Sequence, residues 1–200
     1  MSKSNRSGKS TCLTKSQLEQ FLSNLPEKYS LLGETMYFSS GRVGEILSLR
    51  VRNINFREGL LVMEKSSTKT NETRCVPIPN RLLDDIKRWI ESHSLKSDDY
   101  IFFTSSRNSS YMKGEKKLSV QSVDEYFRKT FYWIGIEGAS THSFRRSRLT
   151  HLLNMNWNVR EIMDISGHKN LLSLQQYLDS DKATTFTRYK ELIESEVPGT

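Results

Sequence analysis

The sequence has little cysteine, no long apolar run and no proline- or glycine-rich linker. Its two cysteines, Cys12 and Cys75, lie far apart and outside any metal-binding spacing, which excludes a disulfide framework. No stretch approaches the ~18 consecutive apolar residues of a membrane span. The basic N-terminus is not followed by the apolar segment of a secretory signal. We therefore expect no membrane association and a cytoplasmic location, or a nuclear one in a eukaryote.

Without a linker, the chain of 200 residues is expected to form one compact domain. A hydrophobic fraction of 36% is lean but sufficient for a core at this length. Residues 1–12 are Ser, Lys, Arg, Asn and Gly with little to bury, and they are predicted to be a disordered basic arm. This arm would either lie on phosphates or be a plain tail. The folded domain would span residues 13–200.

The charge of the chain is strongly positive, at +7 with a pI of about 9.4. A surplus of Lys and Arg favours a polyanionic partner, because neutralised phosphates release their counterions. Nucleic acid is therefore the expected partner, and a surface charge that only improves solubility is the alternative.

The hydrophobic periodicity predicts a mainly α fold with a small antiparallel β-sheet (α+β). A first helix begins at a Thr14/Gln17 capping box and ends at Pro26. A β-hairpin with a long polar loop is expected at 59–79, and a short buried strand or extended segment near 100–105. Further helices are expected at 29–41, 42–54, 81–94 after an Asn80 cap, 119–136, 141–155, 158–167, 173–181 and 184–195.

Four ordered segments carry a distinctive set of reactive side chains. They read SSGRVGEILSLRVRNIN, STKTNETRCVPIP, HSFRRSRLTHLL and SGHKNLLSLQQYLD. Each alone would pass as packing or solvated surface. Together, in this order and at these spacings, they resemble the arginine box, β-hairpin lysine, His-x-x-Arg box and Gly-His…Tyr box of the tyrosine recombinases (phage-type integrases). The matching residues are Arg42, Lys69, His142, Arg145, His168 and Tyr177.

The match covers residues 13 to about 190 and departs from the family pattern in places. A glycine directly precedes Arg42, Arg146 stands where a histidine is common, and Ser166 replaces a usual apolar residue. None of these changes removes a functional group. Only about a dozen residues precede the expected catalytic domain of residues 13–200 in this sequence, so we expect it to lack the N-terminal core-binding domain that most members have. The chain would be an excised fragment or would resemble the short fimbrial-switch invertases.

The resemblance implies that Tyr177 attacks a DNA phosphodiester and forms a 3′-phosphotyrosyl link with a free 5′-hydroxyl. Arg42 and Arg145 would hold the non-bridging oxygens through charge-assisted hydrogen bonds. Because these arginines supply the positive charge, neither a metal nor another cofactor is expected. The partner would be double-stranded DNA, with the protein as a homotetramer on DNA and a monomer or weak oligomer without it.

The remaining boxes imply proton transfer and support. His142 would take or return the phenolic proton, and His168 would bind a phosphate oxygen beside the nucleophile. Lys69 would protonate the leaving 5′-oxygen, with Lys65 as its rival. Glu45 would brace the site without reacting.

The function implied is a site-specific recombinase or integrase. Two alternatives are a type IB topoisomerase-like nicking and closing enzyme and a non-catalytic DNA-binding regulator of recombination. The sequence leaves open the DNA site, whether the outcome is integration, excision or inversion, and whether cleavage occurs in cis or in trans.

Overall fold

A computed structural model describes residues 10–64, 72–104, 112–175 and 182–196 of the protein. The helices of these residues are α1 Lys15–Ser23, α2 Glu27–Ser39, α3 Val43–Leu47, α4 Asn80–His93, α5 Val120–Trp133, α6 Thr141–Asn154, α7 Val159–Ser166, α8 Leu171–Gln175 and α9 Lys182–Glu196, with a 3₁₀ turn at Val51–Asn53. The strands are β1 Ile54–Asn55, β2 Leu60–Met63 and β3 Arg74–Pro77. The predicted class, mainly α with a small antiparallel sheet, is confirmed.

An aromatic cluster holds α1 against the central helices α5 and α6. Phe21 stacks on Phe131 with a centroid distance of 3.8 Å, and it meets Phe127 and Phe144 at 5.2 and 5.6 Å. All four rings are buried. The predicted capping box is confirmed at the start of α1, where the Thr14 hydroxyl accepts a hydrogen bond from the Gln17 backbone N–H at 3.1 Å.

The β-hairpin predicted at 59–79 is confirmed, although its tip, residues 65–71, lies outside the described residues. Strands β2 and β3 pair antiparallel with Leu61 opposite Val76. The short strand β1 pairs with the other edge of β2, and the sequence did not predict this third strand. The buried face carries Leu61, Met63 and Val76, so the hairpin is anchored on the core.

The helix predicted over 42–54 is wrong in length, because α3 ends at Leu47. The side chain of Asn53 accepts a hydrogen bond from the backbone N–H of Arg50 at 2.8 Å, which gives that group a partner outside the helix. The Val51 backbone N–H then bonds to the carbonyl of Asp99 at 3.1 Å. Tertiary contacts thus redirect the chain from helix into the sheet.

The cap predicted for α4 changes. Pro79 occupies the N-cap of α4, so Asn80 is the first helical residue and not the cap. Trp133, at the end of α5, is 72% exposed. At the N-terminus, the Thr11 hydroxyl donates a hydrogen bond to the Glu137 carbonyl at 2.6 Å. Residues 1–9, the rest of the predicted arm, lie outside the described residues.

The C-terminal part of the fold has a small core of its own. Leu149 and Leu152 of α6 pack with Ile162 of α7 and Leu174 of α8. This packing places the end of α7 beside α6, which also lies against α2. The C-terminal ends of α2 and α7 and the N-terminal part of α6 therefore meet near the hairpin. In the described part of the chain, no helix has both the length and the apolar character needed to cross a membrane.

Candidate active site

Arg42 and Glu45 are joined by two hydrogen bonds at the start of α3. Arg42 is the N-cap residue, and its backbone N–H donates to Glu45 Oε2 at 3.0 Å. Its Nη1 donates to Glu45 Oε1 at 2.8 Å. The Glu45 side chain is 3% exposed, whereas that of Arg42 is 23% exposed. Glu45 thus fixes both the backbone and the guanidinium of Arg42, a geometry that supports the predicted bracing role.

Arg145 belongs to α6 and has the largest fully buried side chain of that helix, with only 1% of it exposed. Its Nη1 donates to the carbonyl of Ser40, which follows α2. Its Nη2 donates to the carbonyl of Ser166, the last residue of α7, at 2.9 Å. Carbonyls at helix ends have no partner within the helix and attract cations. Arg145 therefore links the ends of two helices as well as facing the site.

The turn that carries His168 begins at Gly167, where the predicted end of α7 is confirmed. Gly167 adopts a left-handed conformation (φ +69°), which glycine takes at no steric cost. The backbone N–H groups of Gly167 and His168 both donate to the Met163 carbonyl, at 2.8 and 3.2 Å. The position of His168 is thereby set by the helix end.

The His168 ring is buried against Arg145. The distance from Arg145 Nη2 to His168 Nε2 is 3.1 Å, and Ser166 Oγ lies 2.6 Å from His168 Nδ1. Burial, together with the nearby charges of Arg145, Arg42 and Arg74, lowers the pKa of His168 to about 3. His168 is therefore neutral near pH 7. Ser166, a departure from the family pattern, holds the ring through a hydrogen bond between its hydroxyl and Nδ1.

His142 lies three residues before Arg145 on α6 and faces the solvent side of the site. Burial of its ring lowers the pKa of His142; Arg145 and Arg42 lower it further, whereas Asp124 opposes them. Asp124 accepts a hydrogen bond from the Thr141 hydroxyl at 2.9 Å, which holds the start of α6. A lowered pKa keeps the imidazole neutral and able to accept a proton at neutral pH.

Arg74 belongs to the site, although the sequence analysis did not single it out. Its Nη2 binds Glu45 Oε2 at 3.2 Å, and the side chain is 11% exposed. Burial lowers the pKa of Arg74. Arg74, Val76 and Ile78 alternate along the hairpin, so the period of two places Arg74 on the same face as two buried apolar residues. A cation on that face was the signal that could have identified it.

The structure therefore brings Arg42, His142, Arg145 and His168 together, with both histidines close enough to Arg42 and Arg145 to feel their charges. Tyr177 lies outside the described residues, two positions after the end of α8. Lys69 and its rival Lys65 also lie outside them, in the hairpin tip. Their roles stay predictions.

The chemistry of the cluster suits a tetrahedral anion. The positive charges of Arg42, Arg74 and Arg145 exceed the single negative charge of Glu45, whose carboxylate binds Arg42 and Arg74. Guanidiniums present several N–H donors in fixed directions that match phosphate oxygens. Two neutral imidazoles beside them add groups that accept or donate a single proton.

Known proteins of similar sequence and structure share this fold. The tyrosine recombinase XerA of Pyrococcus furiosus is 30% identical over 191 residues, which cover 91% of this chain and 60% of that protein. The chain thus spans about three fifths of the length of this relative. The crystal structure of XerA recombinase superposes with a TM-score of 0.73 at 17% identity, covering 96% of this chain and 67% of that one.

A second solved structure has the same fold. The XerH site-specific recombinase bound to palindromic difH substrate superposes with a TM-score of 0.70 at 17% identity, covering 92% of this chain and 53% of that one. The model of the phage integrase family matches residues 11–184, which include all four of the segments that resemble it. The chain therefore belongs to the phage integrase family.

Proposed function

We propose that the protein is a site-specific DNA recombinase or integrase that cleaves and rejoins strands through a 3′-phosphotyrosyl intermediate. The observation that carries the proposal is the convergence of Arg42, Glu45, His142, Arg145 and His168 from three separate segments on one basic cluster. The XerH structure is a complex with its DNA substrate, and this chain shares its fold. Double-stranded DNA is thus the proposed partner.

In the first step, the Tyr177 oxygen attacks the phosphorus and the bond from phosphorus to the 5′-oxygen breaks. Arg42 and Arg145 bind the non-bridging oxygens, where negative charge accumulates in the transition state. A guanidinium has five N–H donors, so Arg145 can hold the Ser40 and Ser166 carbonyls while it binds an oxygen. Rejoining is the same step in reverse, with a 5′-hydroxyl as the attacking group.

Proton transfer accompanies both halves of the reaction. A tyrosine with its ordinary pKa of ~10 holds its proton at neutral pH. His142 accepts that proton, because its lowered pKa keeps it neutral. Lys69, or Lys65 in its place, delivers a proton to the leaving 5′-oxygen. His168 is neutral and, when the Ser166 hydroxyl donates to its Nδ1, has its N–H on Nε2, which it donates to a phosphate oxygen in place of a charge.

The proposed assembly on DNA is a homotetramer, and α9 offers a surface for it. Phe186, Tyr189, Leu192 and Ile193 form an apolar stripe on α9 and are between 39% and 73% exposed. Exposed apolar surface of this kind is typical of a protein–protein contact. A neighbouring subunit that covers the stripe would link the protomers.

The experiment is covalent trapping on DNA. A pool of labelled duplexes carries random sequence beside a nick, placed so that the 5′-hydroxyl fragment is lost after cleavage. We expect the wild type to form a denaturation-resistant adduct and Tyr177→Phe to bind the same DNA without one. Sequencing the trapped DNA then supplies a defined substrate for the later assays.

The controls separate the alternatives. Binding without an adduct in the wild type would identify a non-catalytic regulator and refute the proposal. An adduct that only ever rejoins its own strand, measured as relaxation of supercoiled plasmid without exchange between duplexes, would identify a topoisomerase-like enzyme. Joining of a labelled duplex to a second one is the expected result.

A further inference from the structure

Arg74 and Arg145 bridge the same two helix ends side by side. Arg74 Nη1 donates to the carbonyl of Ser39 at 3.3 Å and also to that of Ile165. Arg145 donates to the carbonyls of the next residue in each case, Ser40 and Ser166. Each arginine therefore joins the C-terminal end of α2 to that of α7.

The helix ends are suited to this cross-link. The last carbonyls of a helix have no partner within it, and the helix dipole adds partial negative charge there. The end of α2 leads directly into Arg42, and the end of α7 leads directly into His168. Fixing the two ends to each other therefore fixes the start of the arginine box relative to the Gly-His turn.

Arg74 adds a third anchor that Arg145 lacks. Its Nη2 binds Glu45 Oε2 at 3.2 Å and contacts the Met63 sulfur at 2.9 Å. Glu45 in turn binds the guanidinium of Arg42. The Arg74 side chain consequently connects the hairpin strands β2 and β3, the pair at the start of α3 and the end of α7.

The alkyl stem of Arg74 also packs directly on the turn. A Cβ built on Gly167 would lie 3.2 Å from Arg74 Cδ and 3.3 Å from Arg74 Nε. The close approach of glycine and stem leaves little room for the turn to shift toward the hairpin. The position of the turn is thus limited by hydrogen bonds on one side and by steric contact on the other.

We infer that Arg74 is a positioning residue, which holds the His168 turn in register with Arg42 and Glu45 so that they bind one phosphate together. The inference rests on the proposed function. It differs from a direct DNA contact, because the charge of Arg74 is paired with the Glu45 carboxylate and its Nη1 is directed at protein carbonyls.

The test compares single-turnover cleavage at saturating DNA with the DNA dissociation constant. Arg74→Met keeps the stem and removes the guanidinium, and we expect cleavage to slow about 100-fold, as small displacements in an active site do. The dissociation constant should change less than about threefold. Arg74→Lys keeps the charge and can replace some of the hydrogen bonds, but it lacks the planar guanidinium. It should therefore cleave about tenfold faster than Arg74→Met and about tenfold more slowly than the wild type.

Arg81→Ala is the charge-matched control. Arg81 is 64% exposed on α4, where it pairs with Glu34 and Asp85. Its loss should leave both measurements unchanged. Urea unfolding of each variant establishes that it is folded at the assay temperature, and if Arg74→Met is not, Arg74→Lys carries the test alone.

The outcomes are distinct from those of the proposed function. Wild-type cleavage rates in Arg74→Met and Arg74→Lys would overturn the inference and leave the recombinase assignment intact. A larger DNA dissociation constant with an unchanged cleavage rate would also overturn it, because Arg74 would then be a DNA contact. If the wild type forms no adduct, the proposed function fails first.

Discussion

Replacing Gly167 with alanine tests the contact between the His168 turn and the hairpin. Gly167 has a φ of +69°, and the left-handed conformation costs an L-residue about 1–2 kcal/mol. The new Cβ would also lie 3.2 Å from Arg74 Cδ, a separation that forces the Arg74 stem to give way. Displacing a packed side chain costs about 1 kcal/mol or more. We therefore expect Gly167→Ala to lower the free energy of unfolding by about 2–3 kcal/mol.

Gly135 provides the control for backbone strain alone. Its φ is +76°, and a Cβ built there meets no heavy atom of the described residues within 4 Å apart from its chain neighbours. Gly135→Ala should therefore cost only the strain, about 1–2 kcal/mol. In a domain of this size, 1 kcal/mol corresponds to about 2–4 °C in the melting temperature. The two variants should thus be separable by thermal melting and by urea unfolding.

A double-mutant cycle assigns the difference to Arg74. If the Gly167 Cβ conflicts with the Arg74 stem, Gly167→Ala combined with Arg74→Ala should be more stable than the sum of the single losses predicts, by about 1 kcal/mol. The reasoning is refuted if Gly167→Ala costs no more than Gly135→Ala, or if the cycle is additive.

Three further predictions concern charge, pH and assembly. Arg42→Ala should slow cleavage by about 10²–10³-fold, since a preorganised donor to the transition state is lost; a DNA dissociation constant that rises in the same proportion would contradict this. Because His168 has a pKa of about 3 when folded and ~6.5 when unfolded, only the unfolded chain gains its proton as the pH falls from 7 to 5. The free energy of unfolding should therefore drop by about 2 kcal/mol over this range, and His168→Gln should remove that share of the drop in urea titrations; an unchanged pH dependence in the variant would count against the buried neutral ring. Leu192→Asp on α9 should reduce the assembly on DNA seen by native electrophoresis while leaving a single protomer able to bind, and assembly equal to the wild type would exclude α9 as the interface.

Local signals in the sequence predicted much of the fold. The capping box at Thr14 and the glycine at 167 mark helix ends through contacts within a few residues, and the structure has both. The amphipathic pattern of 119–136 likewise predicts α5. Such features need no knowledge of the rest of the chain.

Features set by distant contacts were not predictable in this way. The early end of α3 is accompanied by a bond from the Val51 backbone N–H to the carbonyl of Asp99, 48 positions further along the chain. The ion pair of Arg74 with Glu45 joins residues 29 positions apart. The sequence around Trp133 does not indicate that its side chain is exposed, because Trp133 lies at the end of a helix whose inner face is apolar.

For the site, the order and spacing of the four segments predicted which residues belong together, and Arg42, His142, Arg145 and His168 do converge. Arg74 was not predicted, because the family resemblance of its hairpin segment rests on a lysine near the turn and not on the cation of the buried face. The burial that makes His168 neutral could not be derived from its neighbours in the chain, since Arg145 and Arg42 come from other segments.

The most direct test of the account is to identify the amino acid that carries the DNA. The trapped wild-type adduct is digested with protease and nuclease, and the modified peptide is sequenced by mass spectrometry. The account predicts that the 3′-phosphate of the DNA is esterified to the oxygen of Tyr177. Attachment to another residue, or to the 5′ end of the DNA, would contradict it.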